Sequence, residues 1–361
     1  MNKHQQAYHD ILRCIEMVLN EDIRGRNDLG TIRVAYFLST RELADNEPLS
    51  DTDQSVNEAH RGNLPRLKGM LDVYNRKAGL SGMPRIEVAV IVSDDDTVRR
   101  DFSDLGIPVH REPSSSFARL RKAEGESQEA FRQRKAMAKT AYEQRLLGVM
   151  HEHGIDLVIS DRYMRLFGTT FLGEYLGLVL NSHPAILPDN PGATPTANAL
   201  RRSAEQGYSF TGNTLHIIDH GEDTGPAVMQ SERTPVLPGD TTSELRARNY
   251  QNEAPNMYAG LVGYARDPAV RQLIRLRREL PDANGNSERV RASMSTLSQA
   301  ILDNYRRVFQ SFYQDRGAIE PGGYRYCARL MMRRMSKREE ARKAETQARQ
   351  PLRQLRPQFA W

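Results

Sequence analysis

At 361 residues the chain exceeds one minimal domain and falls short of three, so two compact units or one large α/β unit with extensions is expected. Its 39% hydrophobic and 27% charged residues are an ordinary globular composition, and apolar runs such as 88–92 are far shorter than the roughly 20 residues of a membrane-spanning helix. The net charge of +5 conceals an asymmetry, because residues 325–361 carry 11 basic side chains against Glu339, Glu340 and Glu345, leaving the rest net negative. That tail lacks interleaved aromatics until Phe359, so it reads as a solvated mixed-charge helix with a frayed end and does not favour a nucleic-acid partner. Two cysteines, Cys14 and Cys327, cannot build a disulfide framework, and residues 1–6 lack the pattern of a secretory signal. A reduced, cytoplasmic protein is the expectation.

Tyr8, Ile11, Leu12, Ile15, Val18 and Leu19 recur at helical spacing and predict an amphipathic helix over 4–20. A strand follows over 31–38, then a polar, acidic loop or insertion over 39–61. A helix over 63–76 leads to a strand over 86–92, an acidic loop at 94–97, a short helix and a strand-like 107–110. The charged segment 127–153 reads as a helix delivering the chain to a third apolar run at 156–159. A short helix near Phe171, a strand over 178–181, a Pro/Gly loop, a helix near Ala197 and a strand over 213–218 complete the pattern. Such alternation predicts right-handed βαβ units and a Rossmann-like, open, mostly parallel sheet, with ligands beyond the carboxyl ends of the strands. Residues 281–287 read as a linker. Val290, Met294, Leu297, Ile301, Tyr305, Val308 and Phe312 then form a helical stripe suited to packing on the main domain or on a second subunit.

Glycine-rich dinucleotide and phosphate-loop signatures and HExxH are absent from the sequence, and His151 and His153 are two apart, poor geometry for zinc on a helix. No metal is expected. The run 181–188, NSHPAILP, directly follows an apolar strand. Asn181 and His183 there project to one side of extended backbone, and Pro184 and Pro188 stiffen the exit. Forty residues on, a second strand ends in 219–226, DHGEDTGP, which puts Asp223 at the same end of the sheet. An amide donor, an imidazole and a carboxylate gathered there suit acyl transfer through a tetrahedral intermediate, with an incoming amine as nucleophile.

Residues 31–265 resemble the formyltransferases that use 10-formyltetrahydrofolate, among them glycinamide ribonucleotide formyltransferase. The resemblance rests on 163–165 (YMR), 181–188, Pro191-Gly192, Thr211-Gly212, 223–226 (DTGP) and 236–240 (VLPGD), in that order. It implies an open α/β formyltransferase fold and 10-formyltetrahydrofolate as co-substrate. It also implies that Asn181, His183 and Asp223 are catalytic, Asn181 and protonated His183 holding the oxyanion while Asp223 raises the histidine pKa and relays protons. By the same resemblance, Met164, Arg165, Leu166 and Phe167 face Asp219, His220, Gly221 and Glu222 across the folate headgroup. Gly62, Asn63, Lys139, Pro184 and Glu253 fall on the acceptor side.

The acceptor side departs from the purine enzyme. Some twenty residues intervene where that family has a tight phosphate-holding loop after the first strand, the insertion is acidic, and Lys139 stands where an arginine is typical. These departures favour a small-molecule primary amine of specialised metabolism over glycinamide ribonucleotide. A formyltetrahydrofolate hydrolase and an inactive scaffold using the basic tail are the further alternatives. The expected organisation is an N-terminal helical extension over 1–30, a catalytic domain over 31–268 and a helical C-terminal extension over 269–361, with no membrane contact and a homodimer through the terminal extensions left open.

Overall fold

Residues 31–38 are buried almost without interruption, the signature of a strand covered on both faces, and they form an interior strand of the sheet. In the computed structural model the described residues are 29–39, 63–81, 83–94, 102–163, 165–192, 194–207, 209–231, 233–280 and 287–314. The helix expected over 4–20, the insertion over 40–61, Gly62, Met164, residues 281–286 of the linker and the basic tail all lie outside them.

The chain forms β1 (Thr31–Leu38), α1 (Asn63–Ser81), β2 (Arg85–Ser93), β3 (Val109–Arg111), α2 (Ser115–Ala118), α3 (Gln128–Glu152), β4 (Leu157–Asp161), α4 (Thr169–Tyr175) and β5 (Val179–His183). It continues through α5 (Pro195–Gln206), β6 (Phe210–Thr211), β7 (Thr214–Ile217), β8 (Ala227–Gln230), β9 (Thr234–Pro235), α6 (Thr242–Tyr250) and α7 (Glu253–Ala265). It closes with α8 (Pro268–Glu279) and α9 (Ser287–Gln314). Seven strands make one sheet in the order β3-β2-β1-β4-β5-β7-β8, parallel through β5 and antiparallel at β7 and β8. This is a mostly parallel α/β architecture with flanking helices and a helical C-terminal region. The chain travels outward from β1 to β3, then returns to the other side of β1 at β4. Loops after β1 and β4 therefore diverge, leaving a crevice at the carboxyl ends of the strands.

Three arrangements hold that end of the sheet. Asp94, 1% exposed, accepts hydrogen bonds from Ser39 after β1, from Ser114 and from Arg165 after β4 (Nε to Oδ2, 2.8 Å). Tyr163, Phe167, Phe171 and Tyr175 stack in a four-ring ladder with centroids 5.3, 4.7 and 5.1 Å apart, and Phe37 of β1 packs edge-on against it. Glu143 of α3 accepts from the backbone amides of Gly168 (2.6 Å) and Phe171 (3.1 Å), satisfying amides at the start of α4 that the helix itself leaves unpaired.

The opposite end depends on α8. Asp156 accepts from Arg278 Nε (2.8 Å) and Nη2 (2.7 Å) and from the Arg33 amide (2.8 Å), while Arg278 also donates to the carbonyls of Leu29 and Thr31. Helix α9 packs on the preceding part of the chain through Met294, Ser298, Ile301 and Leu302, all buried, and Ser298 Oγ donates to the Leu176 carbonyl at 2.6 Å. The stripe on this helix therefore serves packing within the chain. No helix among the described residues is long and apolar enough to cross a membrane.

Replacing Asp156 with alanine leaves Arg278 and the Arg33 amide without their common acceptor. The expected loss is about 3 kcal/mol of unfolding free energy, read as a lower urea midpoint.

Candidate active site

Strand β5 is paired with β4 and β7, which fixes its pleat and sends Asn181 and His183 to the same face. Both line a cavity of about 270 Å³ at the carboxyl end of the sheet, together with Asp223 from the loop between β7 and β8. Asp223 sits in the left-handed region at φ 52°, a conformation aspartate tolerates better than most residues. The turn is tight: a Cβ added at Gly225 would lie 1.7 Å from the Ile217 carbonyl oxygen, so only glycine lets the loop fold back on β7.

The carboxylate of Asp223 is held from three sides. Its Oδ2 accepts from the Gly192 amide (2.9 Å) and lies 3.3 Å from His183 Nδ1, and its Oδ1 lies 3.4 Å from His216 Nε2. His183 Nε2 donates to the Asn190 carbonyl (2.8 Å) and His216 Nδ1 to the Ile217 carbonyl (3.1 Å). Each ring thus places one nitrogen on a backbone carbonyl and turns the other toward the cluster. Asn181 Nδ2 donates to His216 Nε2 at 3.0 Å, which orients the amide and leaves its second N–H for the cavity. Burial alone would raise the Asp223 carboxyl, but His216, the charge of His183 and the Gly192 amide bring it down to about 2.

The expectation of a protonated His183 is corrected here. Burial, the larger influence, pushes its pKa below the ordinary 6.5 against the opposing charge of Asp223 and the Asn190 carbonyl. The ring is only 4% exposed, so desolvation of the cation wins, and at neutral pH the resting imidazole is neutral beside an ionised carboxylate. A proton placed between Nδ1 and Oδ2 turns a lone-pair contact into a hydrogen bond. The cluster is one proton short.

Two loops wall the cavity. After β4, Tyr163 and Phe167 are buried in the aromatic ladder, Leu166 is 61% exposed, and Met164 lies outside the described residues. Arg165 lines the cavity but its Nε is spent on Asp94 and Ser114 at 2.8 Å each, so the residue anchors this loop as well as facing the ligand space. Opposite, Asp219, His220, Gly221 and Glu222 all line the cavity. Asp219 accepts from the Gly221 amide (3.0 Å), from Thr224 Oγ1, and from Arg306 of α9 at 2.8 Å.

The acceptor-side residues scatter more widely. Pro184 lines the cavity, whereas Gly62 lies outside the described residues. Glu253 and Asn63 are fully buried behind Ser182: Glu253 accepts from Ser182 Oγ (2.8 Å) and from Asn63 Nδ2 (2.9 Å). Lys139 is on α3, 3.7 Å from Glu143, and does not reach the cavity. Several cavity residues escape the sequence reading, among them His216, Arg162, Arg246 and Tyr250. His216 is a lone polar position inside the apolar 213–218 strand, a signal that was visible and reads as scatter without its partners. Among the described residues no group of three or more His, Cys, Asp or Glu could hold a metal ion.

Residues 106–261 match the protein family described as formyl transferase. A phosphoribosylglycinamide formyltransferase of Mycobacterium tuberculosis is 40% identical over 113 residues, 31% of this chain and 50% of that protein. That of Escherichia coli is 30% identical over 111 residues, again 31% and 50%. The chain thus spans about half the length of the relatives it matches. Among solved structures, glycinamide ribonucleotide transformylase 1 from Geobacillus kaustophilus is 25% identical, covers 64% of this chain and 100% of its own, with a TM-score of 0.43. PvdF of pyoverdin biosynthesis, described as an N10-formyltetrahydrofolate-dependent formyltransferase, is 18% identical, covers 65% and 100%, with a TM-score of 0.46.

Histidine titration by NMR checks the electrostatics. His183 is expected to titrate below 6.5, and Asp223→Asn to move it lower still, because the carboxylate that favours the cation is gone. A histidine pKa lower in the folded than in the unfolded protein makes the native state lose stability as pH falls through 6.5, and His183→Gln is expected to flatten that slope.

Proposed function

We propose that the protein is an N-formyltransferase moving the formyl group of 10-formyltetrahydrofolate to a small-molecule primary amine. The observation that carries this reading is the convergence of Asn181, His183 and Asp223 on one cavity whose remaining walls are the 163–167 and 219–222 loops. The formyl transferase family match spanning these residues supports it, and so do the relatives named for the same chemistry.

The chemistry follows from the proton-poor cluster. The amine nitrogen attacks the formyl carbon, and the carbonyl oxygen becomes an oxyanion that the free N–H of Asn181 faces. The nitrogen then carries a surplus proton, which passes to the gap between His183 Nδ1 and Asp223. The resulting imidazolium, stabilised by the carboxylate, supports the oxyanion and then delivers the proton to the folate N10 as the C–N10 bond breaks. Tetrahydrofolate leaves and the amine keeps the formyl group. Proton uptake and release balance, so no group outside the cluster is needed. A neutral resting histidine suits this order of events better than a protonated one, because the first task is to accept.

The folate headgroup fits between Leu166 and the 219–222 loop, where an apolar face meets backbone groups able to match a pteridine edge. On the other side lie Pro184, Ser182 and the residues in front of Glu253. Burial pushes the Glu253 carboxyl up, and its two oxygens are already engaged by Ser182 and Asn63, so it positions the β5 end from behind.

Asn181→Ala is expected to slow turnover roughly a hundredfold, about 3 kcal/mol of transition-state stabilisation, and His183→Ala at least as much, with the fold intact by circular dichroism. Incubation with 10-formyltetrahydrofolate and an amine panel, following tetrahydrofolate release, tests the function itself. Amine-dependent release supports it. Release without amine indicates a hydrolase, release only with glycinamide ribonucleotide assigns the purine reaction, and no release with any amine overturns the reading.

A further inference from the structure

Arg162 is the first residue beyond β4, one step past the Asp161–Ser182 rung of the ladder, and lines the same cavity as His183. It lines the cavity with its guanidinium 4.4 Å from the ring of Tyr250, itself buried at the end of α6. Three observations single it out. Its Nε and Nη2 are shielded from solvent and have no hydrogen-bond partner among the described residues. The residue is half-buried, yet no carboxylate among the described residues is hydrogen-bonded to it: Glu253, whose charge acts on it, spends its oxygens on Ser182 and Asn63. Its backbone is at φ 56°, a region where a long side chain carries strain that glycine would avoid. The other cavity-facing arginine of this loop, Arg165, is by contrast committed to Asp94.

An arginine that faces a cavity from a strained backbone, with no carboxylate paired to it among the described residues, is a positive charge left for a bound anion to neutralise. A planar fork of N–H donors matches a bidentate oxyanion. We propose that Arg162 is the specificity residue of the acceptor subsite and binds an oxyanion of the incoming amine, so that the acceptor is a small amine bearing a carboxylate or a phosphate. The stacked Tyr250 ring fixes the plane of the fork, and His183 in the same cavity places the anion and the reacting nitrogen on one small molecule. This assignment rests on the formyl-transfer reading for its meaning, but the anion site is measurable without turnover.

The test uses the full chain and thermal shift with glycine and β-alanine as carboxylates, inorganic phosphate, and methylamine and ethylamine as uncharged-framework controls. One class of anion is expected to raise the melting midpoint while the plain amines do not; which class responds tells carboxylate from phosphate. Arg162→Gly, which relieves the left-handed backbone and so retains the fold, is expected to abolish the rise, and Arg162→Lys to weaken it, since an ammonium keeps the charge without the fork. With whichever acceptor is turned over, Arg162→Gly is expected to raise KM by about tenfold or more, the effect of losing a charged hydrogen bond. No rise with any anion, or a rise that survives Arg162→Gly, overturns the proposal. Binding of 10-formyltetrahydrofolate, followed by fluorescence quenching, is scored separately: its absence in the wild-type protein sinks the formyl-transfer reading while leaving the anion result to stand on its own.

Discussion

The carboxylate of Asp223 is the point to which the site is tied. It sits in a left-handed turn that a single glycine, Gly225, allows to close on β7, and it accepts from the Gly192 amide on a loop that follows β5. Two histidines from two different strands bracket it, each with its other nitrogen fixed on a carbonyl. The orientation of Asn181 is secondary to this, since it is set by one of those histidines. Shift the carboxylate and the three polar groups lose their common centre. The ordering runs from backbone conformation, through hydrogen-bond direction, to the proton inventory of the cavity.

Burial decides the charge of that centre. An adjacent carboxylate argues for a cationic His183, and at an exposed site that argument would hold. Here the ring is enclosed, and desolvation of the cation outweighs the pull of Asp223. The resting state is a neutral imidazole facing an anion, an arrangement that can take up one proton. Enclosure therefore chooses which step the histidine is ready for.

Much of this was legible in the residues. The alternation of apolar runs pointed to the parallel sheet, simple strand alternation in 181–188 put Asn181 and His183 on one face, and the place of 219–226 at a strand end brought Asp223 to the same cavity. What was not legible depends on long-range register. His216 acquires meaning only because β7 pairs antiparallel with β5 and sets it opposite Asn181. Lys139 lies on a helix whose local pattern says nothing about its distance from the cavity, and it turns to Glu143 instead. Arg162 hides beside the more conspicuous 163–165 run, and its importance comes from a backbone angle and from partners it lacks, neither of which a sequence displays.

The ion pair between Arg306 and Asp219 joins helix α9 to the loop that leads into Asp223. Arg306 lies 45 residues past the segment matched by the formyl transferase family, which ends at 261. The C-terminal helix is thus more than an appendage: it braces one lip of the cavity from outside the matched segment, so the position of the 219–222 loop answers to a helix that the reacting side chains never touch.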